Sequence, residues 1–270
     1  MSTHADPEKA YIWLDGDGFR APAGTAIPTD PFALSPVTSG VSWLAYGGIE
    51  AGFEVTATRD VNPKRVWNRR LAPYKVIKSP SEERVKLRPV DYSVATVLTT
   101  LQGGSISELT AGVYQWNPGD DEEFALLLVL RDEDASQAFY SKRVTLTTPP
   151  PRTFGGEDLD GFELELLALE PFVPLTSFNP LATEGTVTIG GSPSGGTFTL
   201  TFGGQTTSAI AYNAAASAVQ SALIALSSVG SGNATVTGSN GGPYSVTIDL
   251  PGTLTGSGAS LTPSGTVTIS

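Results

Sequence analysis

The sequence lacks most of the residues on which metal-dependent and nucleophilic chemistry depends. Its 270 residues include no cysteine, one methionine and one histidine, His4. The absence of cysteine excludes disulfides, thiolate zinc sites, iron–sulfur clusters and a cysteine nucleophile. A single histidine in a polar N-terminal stretch argues against a Ser-His-Asp triad and against a multi-histidine metal site. We therefore expect no enzymatic activity, no metal site and no cofactor.

Long hydrophobic runs and a targeting signal are also missing. The longest apolar run, residues 124–130, is far shorter than a membrane span and is typical of a buried strand. No basic segment followed by an apolar stretch stands near the start, so the sequence predicts no secretory signal. We expect a protein that is made in a cytoplasm and does not insert into membranes.

Charge is scarce and is concentrated in one part of the chain. Only 16% of the residues are charged, the net charge is −11, and the only charged residue of 185–270 is Asp249. So abrupt a change predicts a boundary between one domain at 1–180 and another at 185–270. Residues 1–10 are expected to be flexible, and three prolines in 171–184 predict a stiff linker.

The last 86 residues predict a small α+β domain. Between residues 196 and 204, apolar residues alternate with threonines, as in a half-buried strand. Asn213 is predicted to cap an alanine-rich helix at 214–228. The string Gly-Thr-Val-Thr-Ile occurs at 185–189 and at 265–269. We interpret the two copies as the first and last strands of one domain; a truncated second repeat is the alternative.

The first region is predicted to be mainly β, a sandwich or barrel with a short helix. Apolar and polar residues alternate at 53–58, 85–90 and 162–168, which indicates half-buried strands. Residues 124–130 are apolar on both faces and are expected to form a central strand. The Ser-x-x-Glu pattern within 105–109 predicts the helix, because it matches a capping box.

Acidic residues are grouped in runs at 120–123, 132–134 and 157–160. A pair of carboxylates can catalyse glycoside hydrolysis when the two flank a cleft. Adjacent acids are more often a solvated loop, and no spacing here places two of them across a cleft. We therefore interpret the runs as surface segments.

One segment is strongly basic. Ten of the 16 cations lie between Arg59 and Arg88, where three acidic residues leave a net charge of about +7. Three interpretations are open: contact with nucleic acid, a solvated loop, or contact with the acidic runs of a neighbouring copy. The third is favoured because the rest of the chain is acidic. The candidate inter-subunit loop residues are Arg59, Lys64, Arg65, Trp67, Arg69, Arg70, Lys75 and Lys78.

Several stretches resemble the major tail proteins, or tail tube proteins, of long-tailed, non-contractile bacteriophages. In the first region they are 47–55, the charged loop 59–77, 82–104, 124–131, 140–147 and the closing strand 162–168. Residues 185–270 resemble a glycine- and threonine-rich module appended to many phage tail and surface proteins. That likeness rests on the strings GGTFTLTFGGQTT, IAYNAAASAVQSAL and GGPYSVTI.

The resemblance implies a structural virion protein with a tail-tube-like β-sandwich or barrel and a small C-terminal decoration domain. Subunits would form hexameric rings that stack into a tube around a tape-measure protein, together with other tail proteins. Genome DNA would pass through without specific binding, since an acidic wall repels phosphate.

Glu163 and Glu165 are the candidate lumen carboxylates, because their alternation with apolar residues places them opposite the core. The expected location is the virion tail, after assembly in the host cytoplasm. The alternative is a cell-surface or carbohydrate-binding module that forms no tube.

Overall fold

A computed structural model describes residues 10–68, 72–152, 156 and 159–270 of the chain. The chain divides into two units, Met1–Phe178 and Asn179–Ser270. The described residues contain 22 strands and two helices, one helix in each unit. The predicted mainly-β fold is therefore confirmed. Except for its last residue, the segment 1–10 that we expect to be flexible lies outside the described residues.

The described part of unit 1 contains fourteen strands and one helix. In chain order they are β1 (Asp15–Pro22), β2 (Val37–Thr38), β3 (Val41–Ser42), β4 (Leu44–Ala45), β5 (Ile49–Thr58), β6 (Val61–Lys64), β7 (Lys75–Lys78), β8 (Glu82–Pro89), α1 (Val94–Leu101), β9 (Ser105–Thr110), β10 (Val113–Asn117), β11 (Glu123–Arg131), β12 (Ser136–Leu146), β13 (Leu164–Ala168) and β14 (Val173–Thr176).

One antiparallel sheet of eight strands dominates unit 1. Seven strands lie in the order β4-β1-β11-β12-β13-β8-β5, and β14 pairs with the first half of β12. β11 occupies the middle because its apolar run has no polar face to expose. Leu126 and Leu128 enter one core cluster, whereas Leu127 and Val129 enter a second cluster on the opposite face. The prediction of a central strand at 124–130 is confirmed.

The helix of unit 1 forms at α1, and the helix predicted at 105–109 is wrong. Ser93 caps α1 by accepting a hydrogen bond from the Thr96 backbone N–H at 3.2 Å. Residues 105–110 instead form β9, which pairs with β10. Cross-strand pairing outweighs the capping pattern there, and Glu108 accepts a hydrogen bond from the Gly112 N–H in the hairpin turn.

Two exposed hairpins extend from opposite ends of the large sheet. β6 and β7 prolong the β5–β8 hairpin beyond its last pair, Thr58 and Glu82. We call this extension, residues 59–68 and 72–78, the arm. The β9–β10 hairpin has its base beside the start of β11, where the Gly119 N–H donates to the Leu101 carbonyl at 2.7 Å.

The structure corrects the ends of two other predicted segments. The closing strand predicted at 162–168 begins at Leu164, as β13. Six residues of the predicted linker at 171–184 belong to strands: 173–176 form β14, which pairs with β12, and 183–184 begin the first strand of unit 2. Pro174 lies opposite Phe139 in this pairing. Proline is tolerated there because β14 is an edge strand.

Unit 2 contains eight strands and one helix. They are β15 (Thr183–Gly190), β16 (Gly195–Phe202), β17 (Gln205–Thr206), β18 (Ile210–Ala211), α2 (Ala216–Ile224), β19 (Ala234–Gly238), β20 (Tyr244–Ile248), β21 (Leu254–Thr262) and β22 (Thr266–Ile269).

Two four-stranded sheets and α2 surround the core of unit 2. One sheet has the order β19-β20-β15-β22, and in the other β16 pairs with β17, β18 and β21. The two Gly-Thr-Val-Thr-Ile copies lie on β15 and β22 and pair antiparallel, with Val187 opposite Ile269. Their interpretation as the first and last strands of one domain is therefore confirmed.

The helix of unit 2 is shorter than the predicted 214–228, and Asn213 does not cap it. The N-cap of α2 is Ala215, which makes no side-chain capping bond. The carbonyl of Ala214 accepts hydrogen bonds from the Tyr244 hydroxyl at 2.6 Å and from the Gly241 N–H at 3.1 Å. These contacts hold residue 214 in a turn ahead of the helix.

Candidate functional site

The described members of the candidate inter-subunit loop lie in the arm, which is a hairpin and not an irregular loop. All of them are exposed: Arg59, Lys64, Arg65, Trp67, Lys75 and Lys78. Lys64 lies directly opposite Lys75, and like charges in such a cross-strand pair repel. An acidic partner would relieve that repulsion. Arg69 and Arg70 lie outside the described residues.

The arm exposes apolar surface together with its cations. Trp67 is 84% exposed and Tyr74 66%, and Val61 and Ile77 are about half exposed. An isolated two-stranded hairpin is marginally stable in water, and exposed apolar patches commonly mark contact surfaces. The combination is typical of an element that becomes buried against a second molecule.

An acidic run lies at the opposite end of the sheet from the arm. The antiparallel pairings from β11 through β12, β13 and β8 to β5 make β5 and β11 run in the same direction. β5 ends at the arm, whereas residues 120–123 lead into the start of β11. The run 132–134 follows β11, at the same end of the sheet as the arm.

Parts of the 120–123 run already have partners within the chain. Glu123 pairs with Arg143, whose hydrogen bonds lower the pKa of the Glu123 carboxyl. Asp121 accepts a hydrogen bond from the Thr145 hydroxyl at 2.6 Å. Asp120 is exposed. Because Glu122 and Glu123 both form ion pairs within the chain, Asp120 and Asp121 are the members of this run available to an external cation.

Glu163 and Glu165 lie on the polar face of the sheet half formed by β5, β8 and β13. The alternate residues of β8 and β13 on the other face are buried in a core. We call the polar side the charged face. It carries five carboxylates and three cations: Glu50, Glu54, Glu82, Glu163 and Glu165 with Arg84, Lys86 and Arg88.

Arg84 is bound to carboxylates on two sides. Its Nε and Nη2 donate to Glu82 Oε1 at 2.8 and 2.5 Å, and its Nη1 donates to Glu165 Oε1 at 2.9 Å. The hydrogen bond with Glu82, followed by that with Glu165, raises the pKa of Arg84. Glu165 thus faces a cation of the neighbouring strand.

The other two cations of β8 also have carboxylates beside them. Arg88 forms an ion pair with Glu50, its partner in register on β5. Lys86 lies in register with Glu54 on one side and Glu165 on the other. Each cation that β8 places on this face therefore has at least one carboxylate beside it, and Lys86 has one in register on both sides.

A groove of about 500 Å³ runs across the charged face. Glu50, Glu54, Glu163 and Glu165 line it with Lys86 and Arg88, and Thr148 and Pro151 form part of its wall. The β5–β8 register shifts between Glu50 and Phe53, where Ala51 and Gly52 adopt positive φ values of 57° and 73°. This bulge bends β5 beside the groove.

Asp160, from the third acidic run, is held in a small aromatic cluster. The Tyr92 hydroxyl donates to Asp160 Oδ2 at 2.6 Å, and Arg152 forms an ion pair with the same carboxylate. The Tyr92 hydrogen bond, followed by the Arg152 interaction, lowers the pKa of Asp160. Arg152 also lies over the Phe162 ring, 4.5 Å from its centroid. Residues 157 and 158 of the run lie outside the described residues.

The described residues include no group of three or more carboxylate side chains arranged to hold a metal ion. No helix among the described residues is long and apolar enough to cross a membrane. Comparison of the sequence with protein-family models and with curated proteins gives no match.

Proposed function

We propose that this chain is a structural virion protein that assembles into stacked, hexameric rings and forms the tail tube of a long-tailed, non-contractile phage. DNA is delivered through the lumen without specific binding. A tape-measure protein and other tail proteins are its partners, and assembly takes place in the host cytoplasm. The observation that carries the proposal is a long open edge strand, β5, that continues into an exposed basic arm.

The open edges of the large sheet support ring formation. β5 has ten residues and is the outermost strand of the sheet among the described residues. At the other side, β4 pairs with β1 only at Phe19 and Arg20, and the Gly18 carbonyl accepts a hydrogen bond from the Tyr46 N–H. On the side of β1 away from β11, residues 15–17 therefore pair with no described strand. Unpaired edges are templates for pairing with another chain. Head-to-tail pairing of one edge with the other generates a ring when the rotation closes.

The distribution of charge supports stacking of the rings. The basic arm and the acidic run 120–123 lie at opposite ends of the same sheet, along the strand direction. Copies stacked in one orientation bring the arm of one subunit towards the acids of the next. Opposite charges across an interface favour the correct register and accelerate association.

Unit 2 has the surface expected of a decoration domain. Its only charged residues are Glu184 and Asp249, and all of its residues are described. From residue 182 onward no large hydrophobic side chain is exposed. Exposed apolar patches mark adhesive surfaces, so this composition favours a domain that takes no part in building the tube. Unit 2 exposes no aromatic side chain, so this surface does not favour the alternative of a carbohydrate-binding module.

Electron microscopy of the purified full-length chain over a range of concentrations tests the proposal. We expect rings with a central lumen that stack into tubes as the concentration rises, with six subunits resolved in end-on views. A sample kept at high ionic strength serves as the control, because screening should favour unstacked rings. A chain that stays monomeric at every concentration, or assembles without a lumen, would contradict the proposal.

A further inference from the structure

The charged face has a basic strand between two acidic strands. Arg84, Lys86 and Arg88 all point from β8 to this face, where any polyanion that approached the sheet would meet them. Lys86 has a carboxylate in register on each side, Glu54 and Glu165. Arg88 forms an ion pair with Glu50, and Arg84 forms ion pairs with Glu82 and Glu165. The face as a whole has an excess of two negative charges, five carboxylates against three cations.

We propose that the carboxylates of β5 and β13 mask the cations of β8, so that this face does not bind the phosphates of double-stranded DNA. Glu50, Glu54 and Glu165 are the masking residues. The proposal deepens the proposed function and rests on it, because masking matters where DNA passes a wall built from this face.

The spacing of the strands makes the masking effective. Neighbouring strands lie about 4.8 Å apart, so each masking carboxylate is closer to its cation than the Debye length of about 8 Å at physiological ionic strength. Arg84 and Arg88 already hold carboxylates in hydrogen-bonded ion pairs. A phosphate would have to displace a partner that is tethered beside the cation, against the net negative charge of the face.

Of the three cations, Lys86 is the one whose masking relies on electrostatic attraction without a hydrogen-bonded ion pair. It lies between Glu54 and Glu165 in register, and the described residues place no carboxylate oxygen within 4 Å of its ammonium group. Glu165 also binds Arg84, but Arg84 keeps its ion pair with Glu82 when Glu165 is removed. We therefore expect Glu165 and Glu54 to dominate the effect.

The test is a gain of DNA binding by the full-length chain. In the triple variant Glu50→Gln, Glu54→Gln, Glu165→Gln, the face changes from two excess negative charges to one excess positive charge. Binding of a short DNA duplex is measured by fluorescence anisotropy at protein concentrations where size-exclusion chromatography shows a monomer. Because Arg84 keeps its ion pair with Glu82, two unmasked cations predict a slope of log K against log salt about 1.8 steeper than in the unsubstituted chain, so the gained affinity falls about 12-fold between 50 and 200 mM salt.

A matched control separates masking from net charge. Glu133→Gln, Asp134→Asn, Asp249→Asn changes the charge of the chain by the same amount at residues that belong to none of β5, β8 and β13. The arm is identical in both variants, and the control removes acids from the arm's own end of the sheet, so any gain of binding through the arm appears in the control. We expect the triple variant to bind at least about tenfold more tightly than this control at 50 mM salt.

The outcomes are distinct for the two proposals. A folded triple variant that binds DNA no better than the control overturns masking. If the triple variant fails to fold, the double variant Glu54→Gln, Glu163→Gln replaces it, because these two carboxylates form no ion pair in the described structure. If the double variant gains no DNA binding, masking is also overturned. Electron microscopy of the unsubstituted chain is scored separately. Gained DNA binding by the variant without tubes from the unsubstituted chain supports masking and contradicts the tail tube. Tubes without gained DNA binding support the tail tube and contradict masking.

Discussion

Arg20 of β1 forms an ion pair with Glu122 although only 4% of the Arg20 side chain is exposed. Its guanidinium also donates a hydrogen bond to Thr99 Oγ1 at 2.9 Å and lies 4.2 Å from the centroid of the Phe124 ring. Thr99 Oγ1 is 2.8 Å from the hydroxyl of Tyr46, whose burial raises the pKa of Tyr46 to about 12. This network joins α1, β1 and the start of β11.

Loss of the Glu122 charge should destabilise unit 1. Glu122→Gln leaves the buried guanidinium without its counter-ion, and breaking such a pair costs about 3–5 kcal/mol when both groups are buried. Glu122 is one-third exposed, so we expect a loss of about 2 kcal/mol in the free energy of unfolding, measured by urea denaturation.

The neighbouring pair provides the control for that experiment. Glu123→Gln removes an ion pair with Arg143 in which both partners are more exposed, and it should have a smaller effect. The double variant Arg20→Met, Glu122→Gln should recover part of the loss, because no buried charge remains unpaired. Equal losses for Glu122→Gln and Glu123→Gln would contradict this account of the network.

Most strands could be predicted from the sequence because one face of each is buried. Alternation identified Phe198, Leu200 and Phe202, all of which are buried, and the continuous run at 124–130 identified the central strand. The paired ends of unit 2 could be recognised from an exact sequence repeat. These signals are local, so they do not depend on knowing which strands become neighbours.

The errors come from interactions that local patterns do not contain. α1 includes threonines at 96, 99 and 100, which have low helix propensity; the Thr99 hydroxyl donates to the Ala95 carbonyl within the helix and contacts Arg20 across the sheet. The charged loop expected at 59–77 contains the paired strands β6 and β7 of the arm. The cations at 84, 86 and 88 lie on β8, a strand that the alternation at 85–90 does predict.

Acid should weaken the Asp160 cluster. Because the folded-state pKa of Asp160 is lowered, the carboxylate stabilises the fold above its unfolded pKa of about 4, and this contribution is lost as the pH falls through the folded value. The melting temperature of the unsubstituted chain should therefore exceed that of Asp160→Asn at pH 6, and the difference should shrink towards pH 2. Glu133→Gln, which removes a carboxylate at an exposed turn, should show no such convergence. A constant difference for Asp160→Asn across this range would refute the assignment.

Reversal of charge in the arm should prevent stacking and be rescued from the other end of the sheet. Lys64→Glu, Lys75→Glu keeps the two side chains alike in sign but makes the arm repel the acidic run, so we expect folded rings without tubes by electron microscopy. Adding Asp120→Lys, Asp121→Lys to the same chain restores opposite charges and should restore tubes. The charge-preserving variant Lys64→Arg, Lys75→Arg serves as the control and should assemble normally. If the variant Lys64→Glu, Lys75→Glu forms normal tubes without the Asp120 and Asp121 substitutions, the arm is not part of the stacking interface.

Removal of unit 2 should leave assembly intact. A chain that ends at Phe178 retains β14, the large sheet, both exposed hairpins and the charged face, so it keeps every element assigned here to ring formation and stacking. We expect it to form tubes at concentrations similar to those required by the full chain, with a smaller outer diameter. Residues 179–270 expressed alone should fold around their own core but remain monomeric, because they expose little apolar surface and carry only two charges. Electron microscopy and sedimentation measure both outcomes, and circular dichroism establishes that each piece is folded. If the folded shorter chain forms no tubes, unit 2 is part of the tube wall and not a decoration.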